Sequence, residues 1–435
     1  MFSPDDHLLG GVRVLDLSTV LAGPYCTMIL GDLGAEIIKI ENPKGGALAG
    51  DFSRVPAQYH VGGIGAYFLA INRNEKSMAL DLTTDEGRKV FHDLVRVSDV
   101  VFDNSRPTVL AKIGADYETL RKINPSIISA SLSGYGHTGP DSEKPAYDIV
   151  VQARGGTMSL TGEPGRPPVR MGLAMGDLAG SLFAAIAIIA AIYNRKVTGK
   201  GRRLDVALLD CQVSLLTYLA QYYLVGGLVP GPQGSGHETL VPYHAYKAKD
   251  GWLVVACPNE RHTQNLLRAI GREDLLEDMM WNNAPTRFKR QDEVNAFLME
   301  VFQEKTLEEW AELLDAYHVP WGPVNSIDKA LSDPQVLARE MVVEIEHAAT
   351  GEKYKTLGNP IKASDIVQEF MPAPLLGQHT REILSDVLGY DEARIEELFR
   401  AEIVKEQTPQ ELEEIDRMFV SLRDMFLGKH KEEKV

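Results

Sequence analysis

One aspartate stands out as a reactive group in this chain. Asp177 follows Gly176 within Met171–Phe183, Met-Gly-Leu-Ala-Met-Gly-Asp-Leu-Ala-Gly-Ser-Leu-Phe, and an apolar helix is expected from Leu178 to Tyr193. A glycine beside the carboxylate leaves room for a reactant to approach the main chain closely. The start of a helix offers free N–H groups and a partial positive charge, which favour an ionised carboxylate and an anion beside it. A carboxylate so placed can act as a nucleophile. The plainer reading is that Asp177 only caps the helix, since aspartate is a favoured cap. On this stretch alone the cap is the better reading.

The elements that must position it alternate in the first third of the chain. Short apolar runs at Val12–Leu17, Ala35–Ile40, Met78–Leu82, Val100–Asp103 and Ile127–Leu132 read as strands. Helices are expected at Pro24–Leu33, Thr84–Val97 and Tyr117–Ile123. That alternation predicts an α/β domain with a parallel sheet and helices on both faces. Ligands of such sheets bind at the carboxyl ends of the strands, so the loops Ser18–Pro24, Asn104–Pro107 and Ser133–Pro140 are the ones to inspect. Thr198–Leu208 turns through glycines into a further strand, and an apolar helix is expected over Cys211–Val225. The glycine- and proline-rich segment 226–237 reads as a linker or mobile loop. Lys249-Asp250-Gly251 between two apolar runs signals a hairpin, which opens a smaller α+β domain over 238–325. Residues 1–225 are then the large domain, and 326–435 a linker and a C-terminal part returning to it. The charged tail Lys429–Val435 is expected to fray.

The totals bound the partners. The 45 basic residues are outnumbered by 61 acidic ones, net charge −16, the opposite of the basic surplus of nucleic-acid binders. The cysteines are three and far apart (Cys26, Cys211, Cys257); no disulfide framework or paired-cysteine metal site follows, and a cytoplasmic location is expected. The start of the chain has no basic stretch followed by an apolar core, so no signal peptide is read there. The uncharged run Leu178–Tyr193 is shorter than the roughly 20 residues of a spanning helix, so no membrane partner is expected. Phosphate-loop, dinucleotide-binding, nucleophile-elbow and His-Glu-x-x-His patterns are absent from the sequence. The triad, metal and phosphate-loop chemistries thus have little support, and no metal site and no permanently bound cofactor are expected.

An ordered set of motifs resembles the family III CoA-transferases. It comprises Gly11–Pro24, Leu30–Glu41, Asn72–Ser77 with Leu80-Asp-Leu82, Asp103–Pro107, Ser133–Pro140, Ala146-Tyr-Asp148, Gly176-Asp177, Thr198–Gly201 with Asp205–Leu208, and Ala373–Thr380. The resemblance implies a two-domain protomer, an open, Rossmann-like α/β large domain with a smaller α+β domain, and two such ring-shaped protomers interlocked as a homodimer. It implies that Asp177 is the covalent nucleophile of CoA transfer, passing through an aspartyl anhydride and an aspartyl-CoA thioester. Coenzyme A enters as acyl-CoA substrate, and a carboxylic acid is the acceptor. The loop Thr19, Val20, Leu21, Ala22, Gly23, Pro24 corresponds to the family's main-chain contact with CoA. Arg73, Lys76, Asn104, Arg106 and Lys112 fall where relatives place polar or basic CoA contacts. Tyr147 stands where transferases hydrogen-bond the substrate carboxylate, and Gly234 and Gly236 are candidate oxyanion donors. Asn42 and Leu21 depart from the arginine and glutamine of the formyl-CoA enzyme, and the second change points to a substrate less polar than oxalate.

The same fold carries α-methylacyl-CoA racemases, which need two proton-transfer groups. In those relatives a histidine stands in the place of Tyr147, and an unperturbed tyrosine is a poor base at neutrality. That substitution favours the transferase. A non-catalytic CoA-binding protein is the third reading, disfavoured by the retained Gly176-Asp177.

Overall fold

The computed structural model describes residues 6–46, 49–55, 59–366, 368–408, 410–415 and 417–419; the tail at Lys429–Val435 lies outside them. The chain divides into two compact units, 1–156 with 172–217 and 337–435, and 157–171 with 218–336.

The first unit is built on a seven-stranded sheet. Its strands are β1 (Arg13–Asp16), β2 (Glu36–Glu41), β5 (Glu75–Leu80), β6 (Val100–Asp103), β7 (Ile128–Ser133), β8 (Arg202–Ala207) and β14 (Val404–Lys405), in the order β14-β5-β2-β1-β6-β7-β8. Two short pairs, β3 (His60–Val61) with β4 (Ile64–Gly65) and β12 (Val342–Glu346) with β13 (Lys353–Leu357), stand apart from it. All neighbours pair in parallel except β14, which runs antiparallel along β5. The β1–β2 and β1–β6 registers place Asp16 beside Lys39 and Phe102, so the ends of the three strands lie together. The central strands are buried on both faces, the burial expected of a parallel sheet covered by helices.

Helices cover both faces. On one side, α1 (Ala22–Asp32) and α8 (Met175–Thr198) pack Cys26, Leu30, Ala184 and Ile188 against Val14, Ile37 and Phe102. On the other, α3 (Asp85–Arg96) and α5 (Tyr117–Ile123) bury Phe91, Leu94 and Leu120 against Leu15, Ile38 and Val101. Thr84 caps α3 by accepting from the Gly87 N–H, and the Tyr117–Ile123 helix has the bounds expected of it. Shorter helices α2 (Ala66–Ile71), α4 (Pro107–Ile113) and α6 (Asp148–Arg154) follow β4, β6 and the loop after β7.

The single helix expected over Cys211–Val225 is two, α9 (Leu208–Leu215) and α10 (Thr217–Gly226). Thr217 between them has φ 45, a left-handed conformation that a helix interior does not accommodate. The two units divide at this residue. Segment 226–237 accordingly groups with the second unit, as does 157–171 with α7 (Thr157–Leu160), and the return to the first unit begins near 337.

The second unit holds a three-stranded antiparallel sheet of β9 (Tyr243–Lys247), β10 (Trp252–Ala256) and β11 (Trp321–Pro323). The hairpin is the one signalled by Lys249-Asp250-Gly251. Its core joins Tyr246, Leu253, Leu266, Phe302 and Trp310. Within the first unit, α8 is long and apolar enough to cross a membrane by length and composition alone, and half of its most apolar stretch is buried in the protein.

Candidate active site

The carboxyl edge of the large sheet collects the loops after β1, β2, β6 and β7, and the start of α8 joins them. Ser181, one turn into α8 beyond Asp177, ties the helix to the loop after β1: its Oγ lies 2.6 Å from the Ala22 carbonyl oxygen and 2.7 Å from that of Asp177, the one hydroxyl proton serving both.

Asp177 is not the cap. The cap position of α8 is Ala174, with no side-chain cap of its own, and Asp177 is the third residue of the helix. Another helix supplies the carboxylate instead. Asp148 Oδ1 accepts from the Gly176 N–H at 2.7 Å, and Oδ2 accepts from Gln152 Nε2 at 2.7 Å. A Cβ on Gly176 would stand 2.7 Å from Val151 Cγ2 and 3.0 Å from Asp148 Oδ1. The missing side chain therefore serves the packing of α6 on α8, not the approach of a reactant.

The helix start was expected to keep Asp177 ionised. The balance goes the other way: burial, then the neighbouring Asp148 charge, raises its pKa to about 6. Desolvation outweighs the helix dipole because Asp148 has taken the Gly176 amide. Above pH 6 the group is still mainly the carboxylate, and a more basic one, held ready and poorly solvated.

Tyr67 on α2 is a member of this site that the sequence reading missed. Burial, then the charges of Asp177 and Asp51, hold its phenol above the ordinary tyrosine value, so it stays a neutral phenol within electrostatic reach of Asp177. Nothing in the pattern Ala66–Ile71 marks it; only the packing of α2 brings it there.

The loop Thr19–Pro24 is held by side chains. Thr19 N–H donates to Asn104 Oδ1 at 3.0 Å, and Asn104 Nδ2 returns to the Thr19 carbonyl at 2.7 Å. Both ends of the Asn104 amide are thus engaged with the loop, so Asn104 shapes the loop where a direct CoA contact was expected. Val20 N–H is taken by Asp51. Leu21 is the cap position of α1, whose first residues are Ala22, Gly23 and Pro24. The first amides of a helix have no partner inside it and suit an anion. A Cβ on Gly23 would lie 2.1 Å from Ser18 Cβ, so only glycine permits the loop to fold onto the helix start.

The five residues placed at CoA contacts separate by sheet edge. Arg106 and Lys112 are exposed on α4, after the carboxyl end of β6. Arg73 and Lys76 stand at the opposite, amino end of β5 and are corrected as CoA contacts. The Arg73 guanidinium is 2% exposed, gripped by Asp32 at 2.9 and 2.6 Å and bonded to the Leu357 carbonyl. Lys76 Nζ bridges Glu36 at 3.0 Å and Glu382 at 2.8 Å. Both charges are already neutralised by carboxylates, at the edge of the sheet away from the loops that would receive CoA.

Tyr147 is the cap residue of α6 and is 77% exposed, next to Asp148. In the second unit, Gly234 N–H donates to the Gly162 carbonyl and Gly236 N–H to that of Gln233, both at 2.9 Å. Those amides are engaged inside the unit, which removes them as oxyanion donors in this arrangement.

Comparison with known proteins gives this geometry its context. The model of CoA-transferase family III matches residues 9–380. The human succinyl-CoA:glutarate CoA-transferase is 40% identical over 91% of this chain and 90% of its own. The succinyl-CoA:mesaconate CoA-transferase of Haloarcula hispanica is 36% identical over 89% and 98%, and the acetyl-CoA:oxalate CoA-transferase of Acetobacter aceti is 36% identical over 81% and 88%. Among solved structures, a CAIB/BAIF family protein from Brucella suis superimposes with a TM-score of 0.79 at 35% identity, covering 88% of this chain and all of that one. An open carboxylate at the start of a helix over the carboxyl edge of a parallel sheet is thus found in a chain that belongs to the family III CoA-transferases, enzymes that move CoA between carboxylic acids.

Proposed function

We propose that Asp177 carries the transfer covalently and that the exchange runs between succinyl-CoA and a small dicarboxylic acid. The observation that carries this reading is the half-buried Asp177 carboxylate with its pKa near 6, beside the amide-lined start of α1. The carboxylate attacks the thioester carbonyl, the C–S bond breaks, and CoA leaves as thiolate, giving an aspartyl anhydride. The thiolate attacks the Asp177 carbonyl and frees the donor acid. The acceptor carboxylate displaces CoA from the aspartyl thioester, and the thiolate then takes the acyl group from the second anhydride and restores Asp177. Each step retains an energy-rich acyl bond, so no nucleotide is consumed, and division into steps lowers each barrier. The neutral Tyr67 phenol and the α1 amides are the donors for the transient oxyanions.

The dicarboxylate class rests on the named relatives, which act on glutarate, mesaconate and oxalate. Leu21 in the loop favours the longer, less polar acids among them. Arg106 and Lys112 are the cations for the CoA phosphates, and Tyr147 is the contact for the substrate carboxylate. A homodimer is part of the reading: α8 exposes Leu182, Ile186, Tyr193 and Val197 along one side, an apolar stripe that a second copy would cover. The buried free thiols Cys26, Cys211 and Cys257 suit a reducing cytoplasm.

The test is intact-mass analysis after incubation with succinyl-CoA, acetyl-CoA and glutaryl-CoA, with hydroxylamine trapping. A trapped adduct on Asp177 that is absent from Asp177→Ala is the expected result. Exchange of an α-proton with deuterated water, without any adduct, would transfer the assignment to a racemase.

A further inference from the structure

Val20, in the middle of the loop after β1, has φ 72. A β-branched residue in the left-handed region is strained and persists only where its surroundings hold it. The restraint on the main chain is Asp51. Its Oδ1 and Oδ2 accept from the Val20 N–H at 3.2 and 3.1 Å.

Asp51 is itself immobilised. Its Oδ1 accepts from the Ser53 N–H at 2.9 Å and from Ser53 Oγ at 2.7 Å, and its Oδ2 lies 3.2 Å from Lys39 Nζ. Lys39 Nζ donates to the Ser18 carbonyl at 3.0 Å and stands 3.7 Å from Asp16 Oδ2, while Asp16 Oδ1 accepts from the Ser18 N–H at 2.8 Å. Asp51, Lys39 and Asp16 are essentially without solvent contact. Three buried charges thus grip the main chain at Ser18 and Val20, immediately before the first turn of α1. The loop leads directly to Ala22, whose carbonyl is bonded to Ser181 of the nucleophile's helix.

We infer that Asp51 is a positioning residue of the transfer reaction: it holds Val20 in the left-handed conformation and so sets the main chain that receives the acyl-CoA thioester opposite Asp177. The inference rests on the reading that the 19–24 loop takes up acyl-CoA. A buried ion group could instead serve stability alone, and the two roles make different demands on Val20. Glycine adopts positive φ without strain, so a loop with glycine at this position needs its restraint less.

The experiment is a double-mutant cycle in the full-length enzyme, with KM for succinyl-CoA, kcat and Tm measured for each member. Asp51→Asn is isosteric and leaves one acceptor oxygen, but removes the charge and the second acceptor. It is expected to raise KM for acyl-CoA about tenfold with a smaller change in kcat, the size that misplacement of a reactant produces. In the Val20→Gly background the same substitution is expected to raise KM only about twofold, the difference being the coupling between the two residues. An unchanged KM, or an equal rise in both backgrounds, overturns the inference. Should Asp51→Asn not give folded protein, Ser53→Ala removes the Oγ bond to Asp51 and is expected to raise KM about threefold, again less in the Val20→Gly background; no rise overturns it. A wild-type enzyme that fails to turn over any acyl-CoA would sink the reading of the loop itself, separately from Asp51.

Discussion

The two edges of the large sheet carry similar residues and use them in opposite ways. At the amino edge, Arg13 meets Glu36 at 2.7 Å, Lys76 bridges Glu36 and Glu382, and Arg73 is locked onto Asp32. Every one of these cations is matched. At the carboxyl edge, Arg106 and Lys112 are exposed, Asp177 is half-buried with its pKa raised to about 6, and Val20 is strained. Parallel strands put all their carboxyl ends on one side, so one edge can be left electrostatically unfinished while the other is sealed. Strand direction, more than residue type, decided which cations can meet a ligand.

That contrast can be broken at four residues. The largest effect is expected at the reacting group: Asp177→Ala should lower transfer by at least about 10⁴-fold, the scale for loss of a covalent nucleophile, with no hydroxylamine-trapped adduct in the mass spectrum. At the sealed edge, Arg73→Ala leaves Asp32 as an unpaired buried charge and should cost about 3–5 kcal/mol of stability in denaturant titration, with KM for acyl-CoA unchanged in the folded fraction. A raised KM there would undo the division between edges.

The charge on Asp177 has a cost of its own. Its folded pKa of about 6 lies above the ordinary aspartate value of 3.8, so the folded state binds the proton more tightly. Stability therefore falls as pH rises between these values, and the penalty is complete above pH 6. Asp177→Asn should accordingly stabilise the protein by about 2 kcal/mol at pH 8, after allowance for partial exposure, and by little below pH 4. In the wild type, kcat/KM should fall about tenfold per pH unit below pH 6 as the nucleophile is protonated. A flat profile down to pH 5 would show that the carboxylate is better stabilised than its burial implies.

Smaller effects sharpen the picture. Gly176→Ala pushes a methyl into Val151 and Asp148 and should cost about 1–3 kcal/mol by thermal melt, along with part of the activity through a displaced helix start. Arg106→Ala, on the open edge, should leave stability within about 0.5 kcal/mol while raising KM for acyl-CoA about fivefold, the worth of one exposed charge contact near 1 kcal/mol.

Much of the framework was legible in the residues because it depends on local patterns. The strand at Val100–Asp103 and the helix at Tyr117–Ile123 fall where periodicity and caps put them, and the hairpin closes at Lys249-Asp250-Gly251. Asp177 was singled out by its neighbours in sequence. The break at Thr217 was not legible, because nothing in Cys211–Val225 interrupts a helical pattern and the left-handed φ is imposed from outside. The expectation for Arg73 and Lys76 failed for a related reason: a motif position tells which residue is there, not which carboxylate folds onto it. Gly234 and Gly236 were chosen for mobility and carry amides already bonded within their unit.

Taken by itself, the sequence determined the alternating α/β pattern, the family and the choice of Asp177 as the candidate reacting group, since each of these is written in the spacing and order of residues along the chain. Tertiary structure alone decided that Asp148 caps the helix of Asp177, that Tyr67 lies within reach of the Asp177 charge, and that Asp51 restrains Val20. Each of these joins residues about 28 to 110 positions apart, and burial sets the strength of the charge interactions among them. A one-dimensional pattern carries neither the distance between two carboxylates nor the amount of water left between them.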